Sequence, residues 1–333
     1  MEWSRGYTTE YYAEYVDPVT WRGIRRFEIT DGKAVRKETG LRHSADIGCT
    51  DEVGDDKWVR LWMNTLQNGS AGHEAIFTGL TSTPSDDIDG YRISYSVQLY
   101  SVLRPADKYL LPLGWYAPKG AIGAVVIKDL LSVTPAPVSI EGDSPALAQN
   151  IIAENNETAL TMVDKVLDAM GWRMVIDGYG QITVKPYSNE PIARYDPLDN
   201  DAIEPKISVD RDRYNCPNVF RARRDDLLAI ARDDNINSEF STVNRGYEIW
   251  EQELDVSLSD SESIGDYAER KLKELQKYAV SAEYDRRFNP NITVTDVIYM
   301  NYPRQKIVGL YRVTNQSIEL GHGGRTSEEG VRI

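Results

Sequence analysis

The stretch from Asn155 to Tyr187 leaves the least choice of local structure: it reads as one helix followed by one hairpin. Leu160, Val163, Val166, Leu167 and Met170 recur at helical spacing and give one apolar face. Asn155 or Asn156 is the expected N-cap, and Glu157 puts a carboxylate in the first turn, where the helix dipole favours it. Gly171 follows the last apolar residue and suits the left-handed conformation that ends a helix. Arg173 to Ile176 then reads as a strand and Asp177-Gly178-Tyr179-Gly180 as a turn. Gln181 to Lys185 is the return strand, with Ile182 and Val184 on one face and Pro186 as its stop. The pattern predicts a small α+β unit with one buried helix face, and a structural role for it in preference to chemistry.

The chain has 333 residues, enough for two or three such units. With 41% hydrophobic and 27% charged residues it has the composition of an ordinary globular protein. No apolar run approaches a membrane span, and MEWSRGYTTEYY has no apolar leader core, so no membrane insertion is expected and folding in a cytoplasm is. Cys49 and Cys216 read as two free buried thiols in preference to a disulfide. The net charge of −14 argues against gripping nucleic acid: the basic run Arg221, Arg223, Arg224 is followed at once by Asp225 and Asp226. It does not argue against DNA passing along a lined channel. Twenty tyrosines and seven tryptophans suit aromatic-rich sheets.

Residues 1–26 form an arm with Trp3, Tyr7, Tyr11, Tyr12, Tyr15 and Trp21 but no clear period, and packing on a neighbouring chain is expected of it. From Phe27 the pattern is β. Leu41, His43, Ala45, Ile47 and Cys49 alternate with polar residues or glycine, and Tyr91 to Leu99 alternates most cleanly. Trp58 to Met63 is apolar on both faces, as in a central or interface strand. With a further strand around Phe77 and Leu80, and turns at Asn64–Gly72 and Pro84–Gly90, this region reads as a sandwich or barrel. Ala121 to Leu131 reads as a short buried helix ended by Pro135 and Pro137. DPLDNDAIEP, from Asp196, marks a boundary. Lys206 to Arg224 is β-like, Asp225 to Ser241 a loop or excursion, and Ser263 to Ala279 a helix capped by Ser263 with Asp266. Ile292 to Met300, Leu310 to Val313 and Ser317 to Leu320 read as strands.

Reaction signatures are missing from the sequence. His43, His73 and His322 share no metal-ligand spacing; His43 reads as a core histidine and His73 as a loop residue, and the GHGG around His322 has no G-x-S-x-G partner. Ser85 to Gly90 has calcium-loop oxygens, but position 12 would be Ser96 in place of a bidentate Glu. No P-loop or dinucleotide fingerprint occurs. No catalytic, cofactor-binding or metal residue is therefore expected, and weight moves from enzyme to structural or binding protein. Two competing classes are a cell-wall glycan hydrolase using a carboxylate pair and a glycan-binding adhesin using exposed Tyr and Trp.

The helix, Gly, aromatic strand, D-G-x-G and Pro-Tyr order resembles the inserted domain of bacteriophage tail baseplate hub proteins, a family shared with phage-derived contractile particles. Ile29 to Ile47, KWVRLWMN, IFTGLTS and YSVLRPADKYL resemble that family's first tube-type domain. Ile127 to Leu131 resembles the short helix that follows, and Ile264 to Leu275, NITVTDVIYM and GLYRVTNQSIEL resemble the helix and closing strands of the second. The resemblance implies an α+β, mostly β chain with two tail-tube-like β-barrel domains and an inserted small α+β domain. The implied division is an arm (1–26), a first β-domain (27–115), an inserted domain (116–198) and a second β-domain (199–333) with a helical insertion at about 225–285. It further implies a homotrimeric ring joining the tail tube or distal tail proteins to the central spike, with the tape measure protein as a further partner. DNA would pass through without specific binding, no cofactor would be needed, no wall-degrading domain would follow the last strand, and the place of action would be the virion tail, assembled in the host bacterial cytoplasm.

Overall fold

The computed structural model describes residues 2, 3, 5–89, 92–197, 203–212, 214–254, 256, 263–277, 280–321 and 323–333. Strand dominates, at 47% of the described residues against 16% helix, so the chain is mostly β. No helix among the described residues is long and apolar enough to cross a membrane.

The first β unit comprises β1 (Thr8–Val16), β2 (Gly23–Lys37), β3 (His43–Cys49), β4 (Trp58–Gln67), β5 (Ser70–Thr81), β6 (Ser85–Asp89) and β7 (Arg92–Ser101). Antiparallel pairing runs β1–β4–β5–β7–β3–β2 and returns from β2 to β1, a closed circuit of six strands. The alternation in β3 turns Ala45, Ile47 and Cys49 into a core with Phe27, Leu61, Phe77 and Leu99. β4 is buried from Trp58 through Met63 because it separates two cores. Val59, Leu61 and Met63 face the strand core, whereas Trp58 faces the core of the next unit.

The N-terminal arm corrects an expectation. β1 pairs within its own chain, along eight residues of β4, and Ala13 is fully buried. Tyr11 and Tyr15 pack on the core while Tyr12 stacks outward on Trp62, so aromatics on both faces hid the period of two.

The middle unit holds α1 (Arg104–Lys108), β8 (Tyr116–Ala117), α2 (Gly123–Leu130), β9 (Val138–Ile140), β10 (Ile151–Ile152), α3 (Ala159–Met170), β11 (Trp172–Ile176) and β12 (Ile182–Pro186). α3 buries Leu160, Val163, Val166 and Leu167, and Gly171 ends it at φ 64°. The cap is Thr158, whose hydroxyl accepts from the Thr161 amide at 3.3 Å, and not Asn155 or Asn156. Asn156 instead turns the chain at φ 68° just before the helix. Glu157 accepts the Glu154 amide and pairs with Lys165 at 2.7 Å. β11 and β12 form the expected hairpin, and β9 adds to β12 in parallel. α2 buries Ala124, Ile127 and Leu130 but exposes Val125, so it lies on the surface of this unit and is not enclosed all round.

The second β unit comprises β13 (Pro191–Tyr195), β14 (Ile207–Arg211), β15 (Val219–Arg224), β16 (Leu227–Arg232), α4 (Thr242–Arg245), β17 (Trp250–Leu254), α5 (Ile264–Lys277), β18 (Val280–Arg286), β19 (Val297–Tyr302), β20 (Ile307–Leu320) and β21 (Thr326–Arg332). Pairing follows β14–β18–β21–β20–β19–β13. β20 is one continuous strand where two were expected: its first half pairs with β19, and its second half pairs with residues 32–37 of β2. One sheet of 13 strands therefore runs through both β units. The excursion at 219–254 is a separate three-stranded sheet, with β16 antiparallel and β17 parallel to β15, and α5 packed on one face. β16 lies in the stretch expected as a loop or excursion, which forms a strand of this sheet. Ser263 caps α5 through the Asp266 amide at 3.1 Å, while Ala279 lies outside the described residues.

Candidate assembly surfaces and unit junctions

The turn at 177–180 is a docking element. Gly178 offers its carbonyl to the Thr78 hydroxyl at 2.8 Å, and the Tyr179 carbonyl accepts from Trp21 Nε1 at 2.8 Å and from Arg60 at 3.2 Å. Arg60 is buried, bonded to Thr78 Oγ1 at 3.0 Å and paired with Glu14 at 3.7 Å. Burial lowers its pKa and the Glu14 charge opposes that. The middle unit is thus pinned to β4 and β5 through backbone carbonyls, contacts that only a tight turn can present.

A second junction is ionic. Glu328 on β21 accepts from Tyr284 at 2.7 Å, from Gln316 at 2.6 Å and from Arg286, all buried. Gln316 passes the network to Arg36 at 3.1 Å, and Arg36 donates to the Ile76 carbonyl at 2.7 Å. Burial works against the Arg286 charge, but Glu328 beside it holds the guanidinium above its ordinary pKa. Burial lowers Arg36 to about 10. The chain ties its two β units together with a buried polar network, which fixes register as well as position.

Among the described residues, the histidines, the cysteines and the two buried acids of a cleft each serve a structural contact. His43 is buried with its Nε2 2.9 Å from the Thr78 carbonyl, as expected of a core histidine. His73 lies on β5 and not in a loop; it stacks on Trp62 at 4.1 Å and meets Asn64 at 2.8 Å. The turn lies at the centre of the expected Asn64–Gly72 but is confined to Asn68 and Gly69, so both strands run further than expected. His322, Gly90 and Tyr91 lie outside the described residues, as do the side chains of Asp86, Asp87 and Asp89. Asp177 and Asp296, both pushed up by burial, line a cleft with Glu141 and Lys185. Each is used to hold backbone: Asp177 accepts the Gln181 amide at 2.9 Å and Asp296 the Thr293 amide at 2.9 Å. Among the described residues no three His, Cys, Asp or Glu side chains are placed to hold a metal. Cys49 and Cys216 are free and buried, and burial pushes both thiols up to about 11.

Exposed apolar side chains gather in two places. Tyr109, Leu110, Leu113 and Tyr116 protrude from the middle unit, with Ile152 paired opposite Tyr116. Leu228, Ile230, Trp250 and Leu254 lie on the outer face of the β16–β15–β17 sheet. Of the second, the sequence carries one sign, the cluster LLAI two residues after RARR.

No protein-family model matches the sequence, and no curated protein does. Solved structures do. The 43 kDa tail protein of prophage MuSo2 from Shewanella oneidensis aligns with a TM-score of 0.71 at 11% identity, covering 97% of this chain and 96% of that one. The tail protein from Neisseria meningitidis MC58 gives 0.69 at 13% identity, covering 98% and 97%. The chain has the fold of phage tail proteins. The E. coli c3393 protein, a component of the type VI secretion system with structural similarity to T4 bacteriophage tail proteins gp27 and gp5, gives 0.51 at 10% identity, covering 96% of this chain and 76% of that one. The phage tail fold is thus met over almost the whole chain, at identities where only the fold is common. These neighbours are phage tail proteins and a secretion-system component, in line with the phage-tail resemblance of the sequence.

Proposed function

We propose that this protein is a structural component of a virion tail: a baseplate hub whose three copies form a ring between the tail tube and the central spike. The observation that carries the reading is the tail-protein fold along 97% of the chain, with a β unit at each end joined through β2 and β20. In this reading the closed circuit of the first unit is one tube-like barrel within the expected 27–115, with β1 added from the arm and α1 left to the middle unit. The middle unit is the inserted domain, expected at 116–198 but without β13, and residues 199–333 together with β13 hold the second tube-like domain, interrupted at about 225–285. Two tube-like domains per chain and three chains give six around the axis, matching a six-fold tube, and closed cyclic assembly prevents growth into a fibre.

The hub carries no reaction of its own in this proposal. DNA passes through the ring without specific binding, which suits a chain of net charge −14. Partners are the tube or distal tail proteins, the spike and the tape measure protein. Light scattering of the pure chain at micromolar concentration tests it: about 113 kDa is expected, three times the 37.7 kDa chain, with rings in electron micrographs. A monomer that persists at high concentration, with no rings, overturns the reading.

A further inference from the structure

α5 covers one face of the β16–β15–β17 sheet, setting Tyr267, Ala268 and Leu272 against Phe220, Ala222 and Ala231. The other face is open. Leu228 is 58% exposed, Leu254 56%, Ile230 51% and Trp250 47%. The strand register sets Arg223 between Leu228 and Leu254, and Arg221 between Ile230 and Gln252. Arg221 bonds to Gln252 and lies 5.9 Å over the Trp250 ring, and Arg223 reaches the Asp225 carbonyl. Among the described residues neither guanidinium has a carboxylate partner. At the edge of the face Arg232 is paired with Glu248 at 2.6 Å, and Glu248 also accepts from the Trp250 indole at 2.8 Å, so Arg221 and Arg223 are the cations left over among exposed Leu, Ile and Trp, a mix that suits an interface centre better than a solvated sheet.

We propose that this face docks against a second copy of the chain, with Arg221 and Arg223 meeting carboxylates of the neighbour. Charge selects that occupant. The chain carries 52 acidic against 38 basic residues, so the surface of another copy offers opposite charge to the two guanidiniums that this face leaves without a carboxylate. Nucleic acid or an anionic membrane would have to approach a body of net charge −14. The face cannot pair with itself, since that would bring four guanidiniums together. The contact is therefore heterologous, the kind that closes into a ring when the rotation permits. The inference rests on the ring reading and names one of its contacts.

The test uses the full chain with the photo-cross-linker p-benzoylphenylalanine in place of Leu228. Irradiation at a concentration where the chain assembles is expected to give covalent dimers and trimers on a denaturing gel. The double variant Arg221→Glu, Arg223→Glu is expected to associate roughly a hundredfold more weakly, because like-charge juxtaposition costs several kcal/mol. Arg221→Lys, Arg223→Lys should retain most of the association, and circular dichroism checks that each variant is folded. Assembly of the chain with no cross-link from position 228 overturns this face and leaves the ring standing. Full assembly of the folded Glu variant does the same. A chain that never assembles overturns both. The cross-link is read with both arginines in place, so a misfolded Glu variant does not rescue the proposal.

Discussion

Gly178 lies so close to Ala75 that a Cβ built on it would stand 1.8 Å from the Ala75 carbonyl oxygen. That oxygen belongs to β5, and the strand cannot yield without breaking its pairing with β4. Gly178→Ala should therefore lift the 177–180 turn off the first β unit and lose the bonds to Thr78, Trp21 and Arg60. Overpacking of this kind costs about 1–3 kcal/mol, and the lost bonds add to it. Thermal unfolding and limited proteolysis read the result: a lower midpoint and earlier cleavage between the units. An unchanged midpoint would mean that the turn does not dock there.

Gly171 is the opposite case. A Cβ there meets nothing within 4 Å, but the residue holds φ at 64°. Gly171→Val is expected to cost about 1 kcal/mol or more, because the left-handed region is poor for a β-branched residue. Gly171→Asn should cost less than Val, since Asn tolerates that region. Equal denaturation midpoints for Val and Asn variants would show that conformation is not what the glycine supplies.

These two glycines show where the sequence was legible. Local signals read correctly: the α3 stripe, the Gly171 stop, the D-G-x-G turn and the Ser263 cap each depend on residues within a few positions. Long-range partners did not read. Nothing in the sequence around Gly178 says that Ala75 lies above it. β21 was missed because its inward residue is Glu328, whose burial is compensated by Arg286 and Tyr284 from a strand more than 40 positions away. β16 was missed because its apolar residues face outward, so the alternation that marks a half-buried strand is reversed. The arm was assigned to a neighbour because aromatics on both of its faces masked the period. Of the assembly surfaces, the composition beside RARR was visible, but only the register shows that Arg221 and Arg223 share a face with Leu228 and Leu254.

Glu328 sets a third expectation. Its carboxylate is the counter-charge for Arg286, whose side chain is 2% exposed. Glu328→Gln leaves a buried guanidinium unpaired, a change that typically costs about 3–5 kcal/mol. Replacing the pair together, as Glu328→Leu with Arg286→Met, should recover much of that loss, because neither charge is then stranded. Calorimetry on the single and double variants separates the two. If the double variant is no more stable than Glu328→Gln, the cost lies in lost hydrogen bonds to Gln316 and Tyr284 and not in the charge.

His43 gives the pH dependence. Its Nε2 donates to the Thr78 carbonyl, and Nδ1 lies 3.4 Å from the Ser101 hydroxyl. Burial, helped by the Arg36 charge and opposed by the Thr78 bond, lowers its pKa to about 4. The unfolded chain titrates near the ordinary value of about 6.5. Above that pH the imidazole is neutral in both states and costs nothing. As pH falls, the unfolded chain takes up the proton first, so stability is lost between about 6.5 and 4, reaching about 3 kcal/mol at the lower end. Asp177 and Asp296 oppose this, since burial raises their pKa and protonation favours the folded chain. The His43 contribution is therefore read as the difference between the chain and its His43→Gln variant. Melting curves from pH 8 to pH 4 should converge as the pH falls, because the variant lacks the histidine's loss. In nuclear magnetic resonance the folded His43 ring should keep its neutral shifts down to about pH 5. A ring that protonates near its ordinary pKa, or melting curves that stay parallel, would place His43 outside a closed core.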